Sequence, residues 1–204
     1  MKSGISSSMH ERNNLFLIIV FGEFVTGIIS AASDIHEMTL VKGTFIMGSL
    51  LLAVGLWWLY FDLVANRLPK PTLSTTILWT WLNIPVMISI TSMGAVLSFI
   101  LKSENEQLFV LNNETRGIEL LLLGSFFVYF ICIWLLNRYL NISDTFLPIS
   151  KVVNKIFPFI SIAVLIFMVI PISISWILSV MLLLIIILVL TFTILYSRNC
   201  QAFD

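Results

Sequence analysis

A single carboxylate, Glu23, interrupts the apolar run NNLFLIIVFGEFVTGIISAAS between Asn13 and Ser33. A charge at the centre of a membrane helix costs roughly 3 kcal/mol on insertion scales, so such an acid calls for a partner, a water-filled path or a proton. On a helix of 3.6 residues per turn, Arg12, Ile19, Glu23, Thr26 or Gly27, and Ser30 share one stripe, polar and small where the rest of the segment is Phe, Ile, Leu and Val. Two chemistries fit: an ion, proton or solute path, or a protonated Glu23 hydrogen-bonded to a neighbouring helix. The next apolar run repeats the pattern at Thr44, Gly48, Leu51, Gly55, Trp58 and Asp62. Gly27, Gly48 and Gly55 are expected to let another helix approach closely. Asp62 reads either as an interfacial anchor pairing with Arg67 or Lys70 or as a gate. The Trp57-Trp58 pair reads as an interfacial belt or a cation cage. Asn83 precedes Pro85 by two residues; the proline ring frees the carbonyl of Trp81, and the amide beside it is placed to bind that group, a water or a ligand.

Other chemistry is sparse. No P-loop, dinucleotide fingerprint, zinc spacing or Ser-His-Asp set occurs. Both histidines, His10 and His36, fall in polar segments, and His36 with Asp34 and Glu37 reads as a solvated turn rather than a metal site. Glu119 opens an apolar run, where a carboxylate complements the positive end of a helix. Cys132, inside an apolar run, reads as an inert buried thiol, and Cys200 lies too far away to pair with it. Asn113-Glu114-Thr115 and Asn141-Ile142-Ser143 match the glycosylation sequon, which has meaning only in a eukaryotic secretory setting. No catalytic residue, metal or cofactor is expected. A lipid-modifying enzyme would have to work with Glu23, Asp62 and Glu119, without the paired acids or metal ligands such chemistry uses.

The elements that position these residues follow from composition. Of 204 residues, 59% are apolar and only 11% charged, and the mean hydropathy is +1.04, well outside the range of a soluble domain. The expectation is an all-α integral membrane protein: a bundle of six transmembrane helices with no soluble domain, its spans at about 13–33, 40–64, 73–101, 117–140, 152–170 and 174–196. Residues 1–12 and 197–204 are the terminal segments. The start of the chain has no apolar core before Glu11 and does not read as a cleavable signal. Spans one to three do not repeat in spans four to six. Six spans put both ends on one side. Lys2, Arg12, Arg67, Lys70, Arg138, Lys151, Lys155 and Arg198 lie there, against Lys42, Lys102 and Arg116 opposite, which predicts cytoplasmic termini by the positive-inside rule. With eleven bases balanced by eleven acids, nothing favours a nucleic-acid partner.

Several of these segments resemble a known family. Glu11-Arg12-Asn13-Asn14-Leu15-Phe16-Leu17-Ile18-Ile19-Val20-Phe21-Gly22-Glu23 resembles the ERxxLFxIIxxGE segment of the bacterial low temperature requirement protein A family. Leu56-Trp57-Trp58-Leu59-Tyr60-Phe61-Asp62 resembles its LWWLYFD segment. Leu78-Trp79 to Pro85 is similar to its third motif, and the closing pair around Pro171 to its C-terminal hairpin. Where family members often carry His and, after the helix glycine, an acid, this chain has Asn83 and Ser98. The resemblance implies a polytopic protein of the bacterial plasma membrane linked to growth in the cold, and this chain looks like the C-terminal half: a fragment, a split gene or a minimal form.

Three functional readings result. The first is an ion, proton or small-solute path lined by the first three helices, with Glu23 as its buried charge, Arg12 as counter-ion at the cytoplasmic end, and Asp62 and Trp58 at the same mouth. The second is a non-catalytic membrane half whose polar stripes dock a companion half or a second copy. The third is a lipid-modifying enzyme or its accessory subunit.

Overall fold

The structure, a computed structural model, describes residues 7–65, 67, 70, 72–103, 116–140, 147–170 and 173–200. The acidic segment from Glu104 to Glu114, both sequon asparagines, Asn113 and Asn141, Pro69, Pro71, Pro171, Lys2 and the last four residues lie outside them, as do the side chain of Arg198 and that of Cys200. The described residues form six α-helices: α1 (Ser7–Ser33), α2 (Leu40–Tyr60), α3 (Leu73–Lys102), α4 (Arg116–Tyr139), α5 (Leu147–Val169) and α6 (Ile174–Cys200). Each is long and apolar enough to cross a membrane, and there is no β-strand among the described residues. The protein is a polytopic, all-α membrane protein. A lipid core leaves backbone amides no water to bond, and a helix satisfies them within itself.

Local chemistry sets the boundaries. Thr39 and Thr72 sit in extended conformation just before α2 and α3, and their hydroxyls accept from the amides of Lys42 and Thr75. Threonine at that position satisfies one of the amides that a helix start leaves unpaired. The helical conformation of α1 starts at Ser7, earlier than the apolar run at Asn13, because His10, Asn13 and Asn14 find partners on other helices. After Tyr60, α2 does not stop. It widens into one turn of π-helix, Phe61–Ala65. Pro85 lies inside α3 and Pro158 inside α5 without ending either helix.

Packing forms two layers. α1 lies on α3, α3 on α4 and α4 on α5 in a row; α2 and α6 pair with each other and cover it, α2 touching α1 and α6 touching α4 and α5. Aromatic contacts run from Tyr129 edge-on to Phe130, tilted to Phe157 and stacked on Phe192, linking α4, α5 and α6. Tyr129, fully buried, donates its hydroxyl to the Leu56 carbonyl at 2.6 Å and so pins α4 to α2. Glycines set the closest approaches. A β-carbon on Gly94 of α3 would meet the Phe24 ring at 3.0 Å and its Cα at 3.2 Å, so α1 crosses α3 at that point.

Candidate functional site

The face of α1 that carries Glu23 points away from the bundle. Leu17, Phe21, Phe24, Ile28 and Ala31 are buried against α2 and α3, whereas Arg12, Ile19, Gly22, Glu23, Thr26 and Ser30 are exposed. Within this chain, therefore, Glu23 does not face its neighbours, and the stripe of α1 does not meet that of α2 around a buried carboxylate. The physical reason is that lipid tails are as apolar as leucine, so packing between membrane helices rewards shape more than hydrophobicity. The aromatic face interlocks with Gly94, and the small polar face is left outside. Gly22 has nothing within 4 Å of where a β-carbon would stand. Thr26 turns its hydroxyl back to the carbonyls of Gly22 and Glu23.

The other residues of the expected site divide. Gly48 and Gly55 face α6: a β-carbon on Gly48 would lie 3.1 Å from Leu178 and 3.2 Å from Leu182, and one on Gly55 would overlap Ile185. A β-carbon on Gly27 would lie 3.0 Å from Ser98 Oγ, at the α1–α3 contact. Trp58 and Asp62 are exposed at the end of α2, with the Trp57 ring tilted against that of Phe61 at 5.2 Å between centroids. Among the described residues no ion pair joins Arg12, Glu23 or Asp62 to one another. Asn83 is buried, but it does not serve the Trp81 carbonyl. Its amide donates to the Trp79 carbonyl at 2.7 Å, and its oxygen accepts from the Tyr60 hydroxyl at 2.7 Å. Helix geometry explains the choice, since a side chain reaches back to the carbonyl four residues earlier.

Asn83 belongs to a polar junction at the end of the bundle that carries the termini. Asn13 of α1 donates to the Tyr60 hydroxyl at 3.4 Å, which donates in turn to Asn83. One turn away, His10 Nε2 and the Asn14 amide both point at the Ala65 carbonyl, at 2.8 and 3.3 Å. That carbonyl ends the π turn, where no further helical amide reaches it. His10 also lies on Trp79, with ring centroids 5.4 Å apart. Nearby, Arg67 is buried and donates to Asn137 at 3.2 Å, and Asn137 donates to Ser150 and Asn154, which draws α4 and α5 to the α2–α3 turn. Burial shifts the Arg67 guanidinium down from its ordinary range while the Asp62 charge opposes the shift. Lys70 completes the tie: its amide donates to the Tyr139 carbonyl at 3.0 Å and its ammonium to that of Arg138 at 3.3 Å.

At the opposite end Glu119 is buried in the first turn of α4 and pairs with Arg116 at 3.1 Å. Arg116 also donates to the carbonyls of Met168 and Ile170 at the end of α5. Asp34 and Lys102 form an exposed pair at 3.3 Å beside a cavity of about 320 Å³ that His36 and Glu37 help to line. Among the described residues no three His, Cys, Asp or Glu side chains come together as metal ligands would.

His10, Asn13, Asn14, Tyr60, Trp79 and Asn137 were given no site role by sequence reasoning, and Arg67 only that of a candidate partner of Asp62. One signal was present. His10, Asn13 and Asn14 continue the helical period of Leu17, Phe21 and Phe24, so they extend the buried face of α1 rather than a solvated tail. The π turn and the burial of Arg67 had no such trace. Tyr60→Phe is expected to lower stability by about 1–2 kcal/mol in detergent denaturation. Combined with Asn83→Leu, the loss should fall short of the sum of the single losses by about 0.5 kcal/mol or more, the mark of a direct bond.

Comparison with known proteins places most of the chain in one family. The family model described as bacterial low temperature requirement A protein matches residues 6–195. No curated protein and no solved structure matches the chain.

Proposed function

The chain belongs to the bacterial low temperature requirement A protein family, and from that premise and the position of Glu23 we propose that it is a non-catalytic membrane subunit whose outward α1 face docks another membrane segment. The observation that carries this reading is the exposure of Glu23 together with Gly22, Thr26 and Ser30 on one side of a membrane-spanning helix. Glycine, threonine and serine at four-residue steps allow a second helix to come close, and a carboxyl group beside them gains a hydrogen-bond partner that lipid does not offer. An ion, proton or solute path is compatible with this reading only along the seam between α1 and the docked segment, because Phe21, Phe24 and Ile28 fill the inner side. The cation distribution supports cytoplasmic termini in the plasma membrane.

A photo-cross-linking amino acid at position 26 tests the reading in native membranes. The expected result is an adduct of defined mass, formed with a second copy or a companion membrane segment and lost in Glu23→Leu, while the same probe at Leu190 on the lipid-facing side of α6 labels lipid only. Labelling of lipid alone at position 26 would sink the proposal. For the path reading, flux in reconstituted vesicles that is identical for wild type and Glu23→Gln would count against it.

A further inference from the structure

Where α1, the π turn and α3 meet, four side-chain atoms are shut off from solvent and have no protein hydrogen-bond partner: His10 Nδ1, Asn14 Oδ1, Thr76 Oγ1 and Trp79 Nε1. Buried polar atoms are nearly always satisfied, by protein or by ordered water. Their residues adjoin one another. The His10 and Trp79 rings are 5.4 Å apart, the Asn14 amide lies 3.3 Å from the His10 ring, and Thr76 is one turn before Trp79 on α3. Trp79 is fully buried.

The bonds already made define what the orphan atoms need. The Ala65 carbonyl only accepts, so His10 Nε2, 2.8 Å from it, carries the hydrogen, and in that tautomer Nδ1 presents a lone pair. The same carbonyl takes the Asn14 amide at 3.3 Å, which turns Asn14 Oδ1 the other way as a second acceptor. Trp79 Nε1 is a donor only, and the Thr76 hydroxyl adapts to either role. A metal cation suits two acceptors but is repelled by the indole N–H. An anion suits the indole but is repelled by the imidazole lone pair and the amide oxygen. Two donors and two acceptors in one small neutral molecule is the inventory of water.

We propose that this junction is a binding site for one buried water molecule, which donates to His10 Nδ1 and Asn14 Oδ1 and accepts from Trp79 Nε1 and Thr76 Oγ1. The water joins α1 to α3 at the level where the Ala65 carbonyl joins α1 to the end of α2. It makes His10 a bridging residue, bonded to α2 by one ring nitrogen and to α3 through the water by the other.

Protein labelled with ¹⁵N-tryptophan in lipid nanodiscs tests the site, with the Trp79 indole assigned from Trp79→Phe. In a rotating-frame experiment, dipolar contact with water and chemical exchange have opposite signs. The expected result is a dipolar cross-peak between the Trp79 Nε1 proton and water that disappears in His10→Phe and in Asn14→Leu and persists in Ser30→Ala. Absence of that peak in the wild type overturns the proposal without recourse to any variant. A peak that survives both His10→Phe and Asn14→Leu overturns it as well.

Discussion

Arg116→Ala is expected to destabilise the protein by about 3–5 kcal/mol, the cost of removing one member of a buried ion pair. Glu119 is 1% exposed, and Arg116, partly exposed at the mouth of α4, is the cation at 3.1 Å from its carboxylate. The same guanidinium caps the last carbonyls of α5, those of Met168 and Ile170. Alanine therefore takes the guanidinium away from a buried carboxylate and opens the α4–α5 end in one step. Glu119→Gln keeps the shape and removes the buried charge, so it is expected to cost much less. The double change Arg116→Met with Glu119→Leu should recover most of the loss, because well-packed apolar side chains replace a buried pair at little net cost. Urea or guanidinium titration of the protein in detergent measures all three. Equal losses for Arg116→Ala and Glu119→Gln would show that the pair does not hold this end.

Gly55→Leu is expected to push α6 away from α2. A β-carbon at position 55 already overlaps Ile185, a residue branched at its own β-carbon and held to one dominant rotamer in a helix. The clash cannot be relieved by turning a side chain, so the helices must separate. Overpacking of this kind costs about 1–3 kcal/mol and more when backbone moves. At Gly48 the neighbours are the ends of Leu178 and Leu182, which can swing, so Gly48→Leu should cost less. Gly22→Ala, with open space around it, should leave stability unchanged within about 0.5 kcal/mol. Ile185→Ala is expected to rescue part of Gly55→Ala. Thermal unfolding in detergent separates these cases, and a Gly55→Leu protein as stable as wild type would mean that α2 and α6 do not meet through this glycine.

How much of this was legible beforehand differs by residue. The six apolar segments were readable because span length is set by bilayer thickness, and each segment carries its own signal. Gly48 and Gly55 stood out through their spacing alone, and the family through two contiguous motifs. Glu23 was readable as a residue out of place, but its direction was not. A stripe pattern says which residues share a face, and in lipid it does not say whether that face turns inward, because helix association there is not driven by hiding apolar surface. Arg67 illustrates the same limit from the other side: in sequence it is one of several bases in a proline-broken turn, and only the approach of Asn137 from α4 gives it a buried seat.

The sequence by itself determined the class of the protein, its number of spans, its family and the list of polar groups that a membrane must accommodate. These follow from local quantities: hydropathy over about twenty residues, helical period and contiguous motifs. The tertiary structure alone decided which polar groups are satisfied inside the chain and which face outward. Asn83 found Tyr60 across 23 residues and Arg67 found Asn137 across 70, whereas Glu23 was left on the surface of α1. Pairings at such separations depend on how whole helices cross, and crossing is settled by shape at Gly94 and Gly55, where the absence of a side chain lets one helix reach another.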